Sequence, residues 1–378
     1  MGETMSRVLL WLLTGWMLAA CPGPTPPVPR DPGRRGRSGA RTLADRAKGL
    51  PQMKAHFINV GQGDAVLLEF PCAAMLVDAG GEQGGGFDSN KVLDHYLGAF
   101  FARRKDLHNT LALLAITYPH PAHARGIKSV LLHPGSKVKI QNVITNGQEE
   151  GPGAWQQQLL HKWAAANKDV HLRKIIVEDI PQGYGLTGPI IDPIKCKHVD
   201  PKIRVLWGAV TKKPKDWDYR AMENPKNHSL VIRVDFGKAS FLLMGDLEED
   251  GLNQLGHWSY PSRLLDVDVF KVPGHGSSES ASPGILKVVS PRIAVVSVGP
   301  HNRTWGFTAF KAGLPRLSAM KMLQQYVTTK RLPQRAFHVA TGPRKYEKHW
   351  ISKSVYATAW DGHVVIEAAT NGWLRKVP

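Results

Sequence analysis

A four-layer α/β sandwich, αββα, is the fold class this chain predicts, and three observations carry it. Apolar–polar alternation opens a strand-rich block near Met53, a second such block opens near Asn227, and segments of helical spacing are interleaved with both. Two mixed sheets packed face to face, with helices outside, satisfy that order. At 378 residues and 42% hydrophobic, the chain is long enough to bury such a core.

Taken in order, "MKAHFINVGQGDAVLLEF" reads as a strand, a Gly-rich turn and a second strand, with "AAMLVDAGG" as a third. A helix follows over "FDSNKVLDHYLGAFFARR", with Ser89 or Asn90 as its N-cap. Thr110 to Thr117 is a buried strand that delivers the chain into "TYPHPAHARG". "GIKSVLLH" begins a helix, "VKIQNVITN" is a strand, "GAWQQQLLHKWAAAN" a helix and "HLRKIIVE" a strand. The pattern weakens between Ile180 and Pro225, apart from "IRVLWGA". "NHSLVIRVDFGKASFLLMGD" is a hairpin turning at Gly237. "EEDGLNQLG", "PGILKVVSP" and "SAMKMLQQYV" are helices, with strands at "LDVDVFKVPGHGS" and "IAVVSVG". The chain closes on a predicted hairpin turning at Asp361-Gly362.

The N-terminus divides the chain into three parts. Residues 1–20 read as a signal peptide, because "VLLWLLTGWMLAA" is too short to span a bilayer comfortably and follows a basic start at Met5-Ser6-Arg7. "LAAC", closing that run, resembles the lipobox of bacterial lipoproteins, in which the Cys, here Cys21, is lipidated. Plain secretion or an uncleaved anchor is the alternative. Residues 21–50, rich in Pro, Gly and Arg, read as a disordered tether, and residues 51–378 as the folded domain. The expectation is an exported cell-envelope lipoprotein, periplasmic or otherwise extracytoplasmic, held to a membrane through Cys21. Export permits a disulfide between Cys72 and Cys196, although two separate buried thiols fit equally well.

Forty-nine Lys and Arg against thirty-one Asp and Glu leave +18, a field that attracts polyanions such as nucleic acid. No run of like charge marks a nucleic-acid arm, no GxxxxGK spacing marks a phosphate loop, and no G-x-S-x-G elbow frames Ser277. Four loops that follow apolar strands do hold metal-ligand chemistry: Asp78, the pair His120 and His123, Asp246, and His275. His56, His95, His301 and His349 show no partner spacing and read as surface residues.

In order and spacing, "FINVGQGDAVLLEF", "LVDAGG", the T-x-P-H-x-x-H loop, "SLVIRVDFGKASFLLMGD", "FKVPGHGS" and "AVVSVG" resemble the metallo-β-lactamase superfamily. The likeness runs over about residues 53 to 372 and is greatest to the branch containing the hydrolase-like domain of the DNA-uptake protein ComEC. The family loop reads T-H-x-H-x-D-H. Here Tyr118 stands at the first His, His120 and His123 match later ones, and Ala122 replaces the Asp. Asp246 matches the metal-bridging Asp, His275 the second His of H-H-G-S, and Gly274 the first; Leu314 stands where a final His is expected.

Those losses leave too few anionic ligands for two neighbouring cations. The resemblance therefore implies a reduced site for one divalent ion, zinc by ligand type, on His120, His123, Asp246 and His275. Asp246 and His120 would carry the catalysis, with Asp64, Asp78, Tyr118 and Ser277 lining or supporting the pocket. The implied activity is hydrolysis of an ester or phosphodiester, possible nucleic acid included, by a monomer. The rival is a metal-free pseudoenzyme that binds nucleic acid or an envelope partner.

Overall fold

The computed structural model describes residues 43–259 and 263–377. The expected signal peptide, Cys21 and the tether up to residue 42 lie outside the described residues. A compact unit spans Thr42–Pro378. It includes the last residues of the expected tether, because Leu43–Ala47 form a helical turn whose Ala47 is buried.

The main strands are β1 (Gln52–Phe57), β2 (Val66–Glu69), β3 (Ala74–Val77), β4 (Leu113–Ile116), β5 (Asn142–Thr145), β6 (His171–Lys174), β7 (Lys202–Trp207) and β8 (Val231–Phe236). They continue as β9 (Ala239–Leu243), β10 (Val269–Lys271), β11 (Ile293–Val296), β12 (Lys330–Gly342), β13 (Lys345–Lys353), β14 (Val355–Ala357), β15 (Val364–Ala369) and β16 (Leu374–Val377). The longer helices are α1 (Ser89–Arg103), α2 (Ala154–Ala166), α3 (Glu249–Ser259), α4 (Pro283–Val289) and α5 (Leu317–Tyr326). Asp88 caps α1, accepting the Asn90 N–H at 3.0 Å, one residue before the expected caps.

Eight strands form the first sheet in the order β6-β5-β4-β3-β2-β1-β15-β16, and six form the second in the order β7-β8-β9-β10-β11-β14. Each sheet changes from antiparallel to parallel pairing part-way across, at β3–β4 in the first and β9–β10 in the second. Beyond those points successive strands end on the same rim, so the loops that follow them gather there. β3, β4 and β5 are buried along their whole length, as parallel strands covered on both faces must be.

Strand alternation sorts the core into layers. Phe57, Val66, Leu68, Met75 and Val77 of the first sheet share a core with Val234, Phe241 and Phe270 of the second. Their neighbours Leu67, Leu76, Leu114 and Val143 lie in a separate core with Leu93, Leu97 and Phe100 of α1 and Leu160 of α2. Leu255, Leu286 and Leu323 bury α3, α4 and α5 with the second sheet. The architecture is the four-layer αββα sandwich with two mixed sheets that the sequence predicts.

Three features differ from expectation or extend it. The predicted terminal hairpin at Asp361-Gly362 is absent: β14 joins the second sheet beside β11, β15 joins the first beside β1, and Thr358–Asp361 cross between them as a helical turn. Alternation on both sides of Asp-Gly reads the same for one hairpin as for two strands in different sheets. Here Asp361 is drawn away by Arg331 and by the Ala357 N–H, and the true terminal hairpin is β15–β16. Second, β12 and β13 form a long ribbon paired with neither main sheet. Third, Cys72 and Cys196 are disulfide-bonded, with Cα atoms 5.5 Å apart across 124 residues of sequence.

Candidate metal centre

Asp78 directly follows β3 at φ +60°, a left-handed geometry that Asp tolerates better than most residues. Its Oδ1 accepts the Thr117 N–H at 2.7 Å, and its Oδ2 accepts both the Thr117 hydroxyl and the His123 Nδ1–H at 2.8 Å. Asp78 thus fixes the His123 ring from the loop one strand away. With Nδ1–H committed, Nε2 is the atom left to act inward; it is buried, lacks a hydrogen-bond partner, and lies 3.3 Å from Asp246 Oδ1.

His275 repeats the arrangement from the second sheet. Its Nδ1–H donates to the Ser297 carbonyl at 2.8 Å, while its Nε2 is buried, unpartnered and 3.4 Å from the same Asp246 Oδ1. Asp246 follows β9 and is itself oriented by the Tyr118 hydroxyl, which donates to Oδ2 at 2.8 Å, and by the Gly274 N–H, which donates to Oδ1 at 3.1 Å.

Asp64 completes the group from the turn before β2, which antiparallel pairing brings to the end of β3. The ammonium of Lys271, the last residue of β10 and only 2% exposed, binds Asp64 Oδ2 and donates to the Gly245 carbonyl at 2.9 Å. Asp64 Oδ1 is buried without a partner. One ligand atom from each of Asp64, His123, Asp246 and His275 lies within 4.8 Å of the others, and all four residues are buried. Two imidazoles and two carboxylates, three of them presenting orphaned atoms, make a donor set that can hold a metal ion.

The electrostatics follow the same contacts. Burial opposes charge on His123, yet the carboxylates of Asp246 and Asp78 outweigh it and raise its pKa to about 10. Burial likewise works against ionised Asp246, but His275 and His123 beside it hold the carboxyl well below its usual range. Burial pushes His275 down and Tyr118 well up.

The sequence-predicted residues separate into two sets. His123, Asp246 and His275 converge, and Asp64, expected as support, joins them. His120 does not: it is half-buried, its Nδ1 accepts the Ala122 N–H at 3.2 Å as a helix cap, and its ring stacks on Tyr118 with centroids 5.8 Å apart. Burial, then His123, pushes its pKa down to about 4. Phe307 covers it edge-on at 5.6 Å. Asp78 orients His123, and Ser277 has a buried, unpartnered Oγ in the loop after His275. Lys271 was missed; its signal was a lone Lys at the end of the apolar run "LDVDVFK".

The positions that depart from the metallo-β-lactamase pattern sit in close packing. The Ala122 carbonyl accepts the Asp64 N–H at 2.8 Å, and a Cβ at Gly80 would come within 1.7 Å of it, so two loops touch through backbone at this point. Gly274 adopts φ +57°, and a Cβ there would meet Ser277 Oγ at 2.8 Å. Leu314 is buried beside the His275 loop rather than offering a ligand. Buried Lys271 is paired with Asp64 and occupies one of its carboxylate oxygens.

Strand ends of two face-to-face mixed sheets therefore deliver an Asp loop, a His-x-x-His loop, a Gly-Asp loop and a His-Gly loop to one rim. The chain has the metallo-β-lactamase fold. No protein-family model matches it. Over 124 residues it is 34% identical to Recombination protein 2 of Haemophilus influenzae, covering 30% of this chain and 14% of that protein. Over 77 residues it is 35% identical to ComE operon protein 3 of Bacillus subtilis, covering 20% and 10%. The chain thus matches a small part of the length of these curated relatives. The metallo-β-lactamase fold protein YhfI from Bacillus subtilis aligns at a TM-score of 0.40 and 13% identity, over 74% of this chain and 94% of that one. The ComE operon name among these partial matches is in keeping with the ComEC-like resemblance of the motifs.

Proposed function

We propose that this chain is a metal-dependent hydrolase of esters or phosphodiesters holding one divalent ion, zinc by donor chemistry. The observation that carries the reading is the convergence of Asp64 Oδ1, His123 Nε2 and His275 Nε2, all buried and unpartnered, around Asp246. His123, Asp246 and His275 would hold the ion, with Asp64, half engaged by Lys271, beside them. An ion bound there would supply an activated water. Asp78 and Ser297 hold the two imidazoles in the tautomer that points Nε2 inward, and Tyr118 holds the Asp246 carboxylate. His120, at the outer edge between Tyr118 and Phe307, is placed to position substrate rather than to bind metal. The +18 charge and the partial likeness to a protein named for recombination favour a nucleic-acid substrate. Lipidation of Cys21 would tether the domain to an envelope membrane; among the described residues no helix is long and apolar enough to cross one.

The test is metal content of the full chain by mass spectrometry, alongside hydrolysis of bis(p-nitrophenyl) phosphate. About one ion per chain is expected, with ion and activity both lost in His123→Ala. A chain that takes up no ion after reconstitution sinks the reading. A second reading, a non-catalytic binding module, is favoured by the burial of the group, since none of the four residues is more than 4% exposed. Under it, polyanion binding persists in chelator and no variant of the group changes turnover, because there is none.

A further inference from the structure

The ribbon β12–β13 is the part of the fold that the site does not explain. One face is anchored: Val339 and Ile351 are fully buried, and Phe337 stacks on Trp360 with centroids 4.7 Å apart. By register the opposite face pairs Ala336 with Trp350 and His338 with Lys348. Residues 330–353 hold seven Lys and Arg against Glu347 alone, so a third of the chain's net charge sits in this ribbon. Arg331 is buried and committed to Asp361. Lys348 on the opposite face, Arg344 and Lys345 at the turn, and Arg335, exposed although register sets it opposite Ile351, make no ion pair among the described residues. Trp350 is 56% exposed; its indole Nε1–H donates to Gln334 Oε1 at 3.2 Å, and its carbonyl accepts from Gln324 Nε2 at 3.0 Å.

Unpaired cations beside an exposed indole suit a strand of phosphates carrying unstacked bases: the cations take the backbone, and the ring offers a stacking face to any base. The large apolar side chains that the ribbon exposes are Leu332 and Trp350, a small area for holding a lipid interface against four free cations. The ribbon is joined to the His275 loop through the intervening Pro315-Arg316 segment. The Ala340 N–H donates to the Pro315 carbonyl at 2.8 Å, and the Arg316 N–H donates to the Gly276 carbonyl at 2.8 Å. A strand on the ribbon is therefore held beside the rim on which the metal-ligand loops gather.

We propose that β12–β13 is a binding surface for single-stranded nucleic acid, with Arg335, Arg344, Lys345 and Lys348 on phosphates and Trp350 stacked on a base. The proposal stands on residues outside the metal group and survives if that group proves empty. The experiment measures binding of the full chain to a fluorescein-labelled oligothymidylate by anisotropy across a salt series, and to phosphatidylglycerol vesicles by co-sedimentation. The quadruple variant R335Q/R344Q/K345Q/K348Q is expected to bind the oligonucleotide at least about tenfold more weakly, with a salt slope smaller by about 3. Trp350→Ala is expected to weaken binding about fivefold or more, and Trp350→Phe to restore most of it. All five positions are exposed, so melting temperatures should match the parent. Oligonucleotide binding unchanged in the quadruple variant, or in Trp350→Ala, overturns the proposal. Loss of vesicle binding with oligonucleotide binding intact also overturns it, in favour of a lipid surface.

Discussion

The Tyr118 hydroxyl donates to Asp246 Oδ2 at 2.8 Å, with both groups buried. A residue standing where the resemblance places a histidine has thus become the clamp on the carboxylate at the centre of the group. Tyr118→Phe keeps the ring and removes the clamp, leaving a buried charged acceptor short of a partner. In chelator, urea unfolding should show a loss of about 1.5–3 kcal/mol. Added zinc should stabilise the Phe variant more than the parent, because Oδ2 becomes free to bind it. Equal stability without metal would show that the hydroxyl is not holding Asp246.

Asp78→Asn should leave the fold intact, since Asn also tolerates the positive φ of that position. It loses the carboxylate that takes the His123 Nδ1–H and so releases the ring and its tautomer. Metal affinity, read by competition with a chromophoric chelator, should drop about 10- to 100-fold. Undiminished affinity means that His123 is not a ligand.

Lys271 and Asp64 form an ion pair with both side chains at most 2% exposed. Lys271→Met strands a buried carboxylate and should cost about 3–5 kcal/mol. Adding Asp64→Asn should recover most of that, because the remaining partners are neutral. Additive losses in the double variant would show that the two side chains do not stabilise one another.

Glu69 supplies a pH dependence remote from the metal group. Burial raises its pKa, but hydrogen bonds from His56, Arg103 and Arg104 outweigh burial and hold it well below the ordinary 4.5. A carboxyl with a depressed folded pKa contributes stability that is complete above its unfolded value and is lost as pH falls through and below that value. Stability should therefore decline below about pH 5 in the parent and decline less steeply in Glu69→Gln, with thermal melts across the acid range as the readout. Parallel profiles would remove Glu69 from the acid sensitivity.

The outline of the fold was legible because β1 and β8 alternate, while β3 and β9 are apolar runs that end in Asp-Ala-Gly and Met-Gly-Asp loops. What sequence cannot state is where a side chain aims. His120 and His123 look equivalent on paper, yet the Nδ1 of His120 caps its own helical turn, whereas His123 is drawn inward by Asp78. Asp64, expected only to support the pocket, is carried to the rim by antiparallel pairing and joins the group itself. His56, read as a surface residue, is buried between Tyr96 and Glu69, partners that pairing and packing supply rather than spacing. The β12–β13 ribbon escaped notice because its basic and aromatic residues follow no period-2 pattern.

The closure of the metal group has a kinetic meaning. Ligands with almost no contact with solvent would exchange an ion only when the loops around them open, and the same opening would admit the water and substrate that hydrolysis needs. An ion held there would leave on the timescale of loop opening, whatever the affinities of competing metals outside. The metal recovered with the protein is then a record of what was available while the chain folded, and expression in zinc-rich and manganese-rich media should yield two differently loaded populations from one sequence.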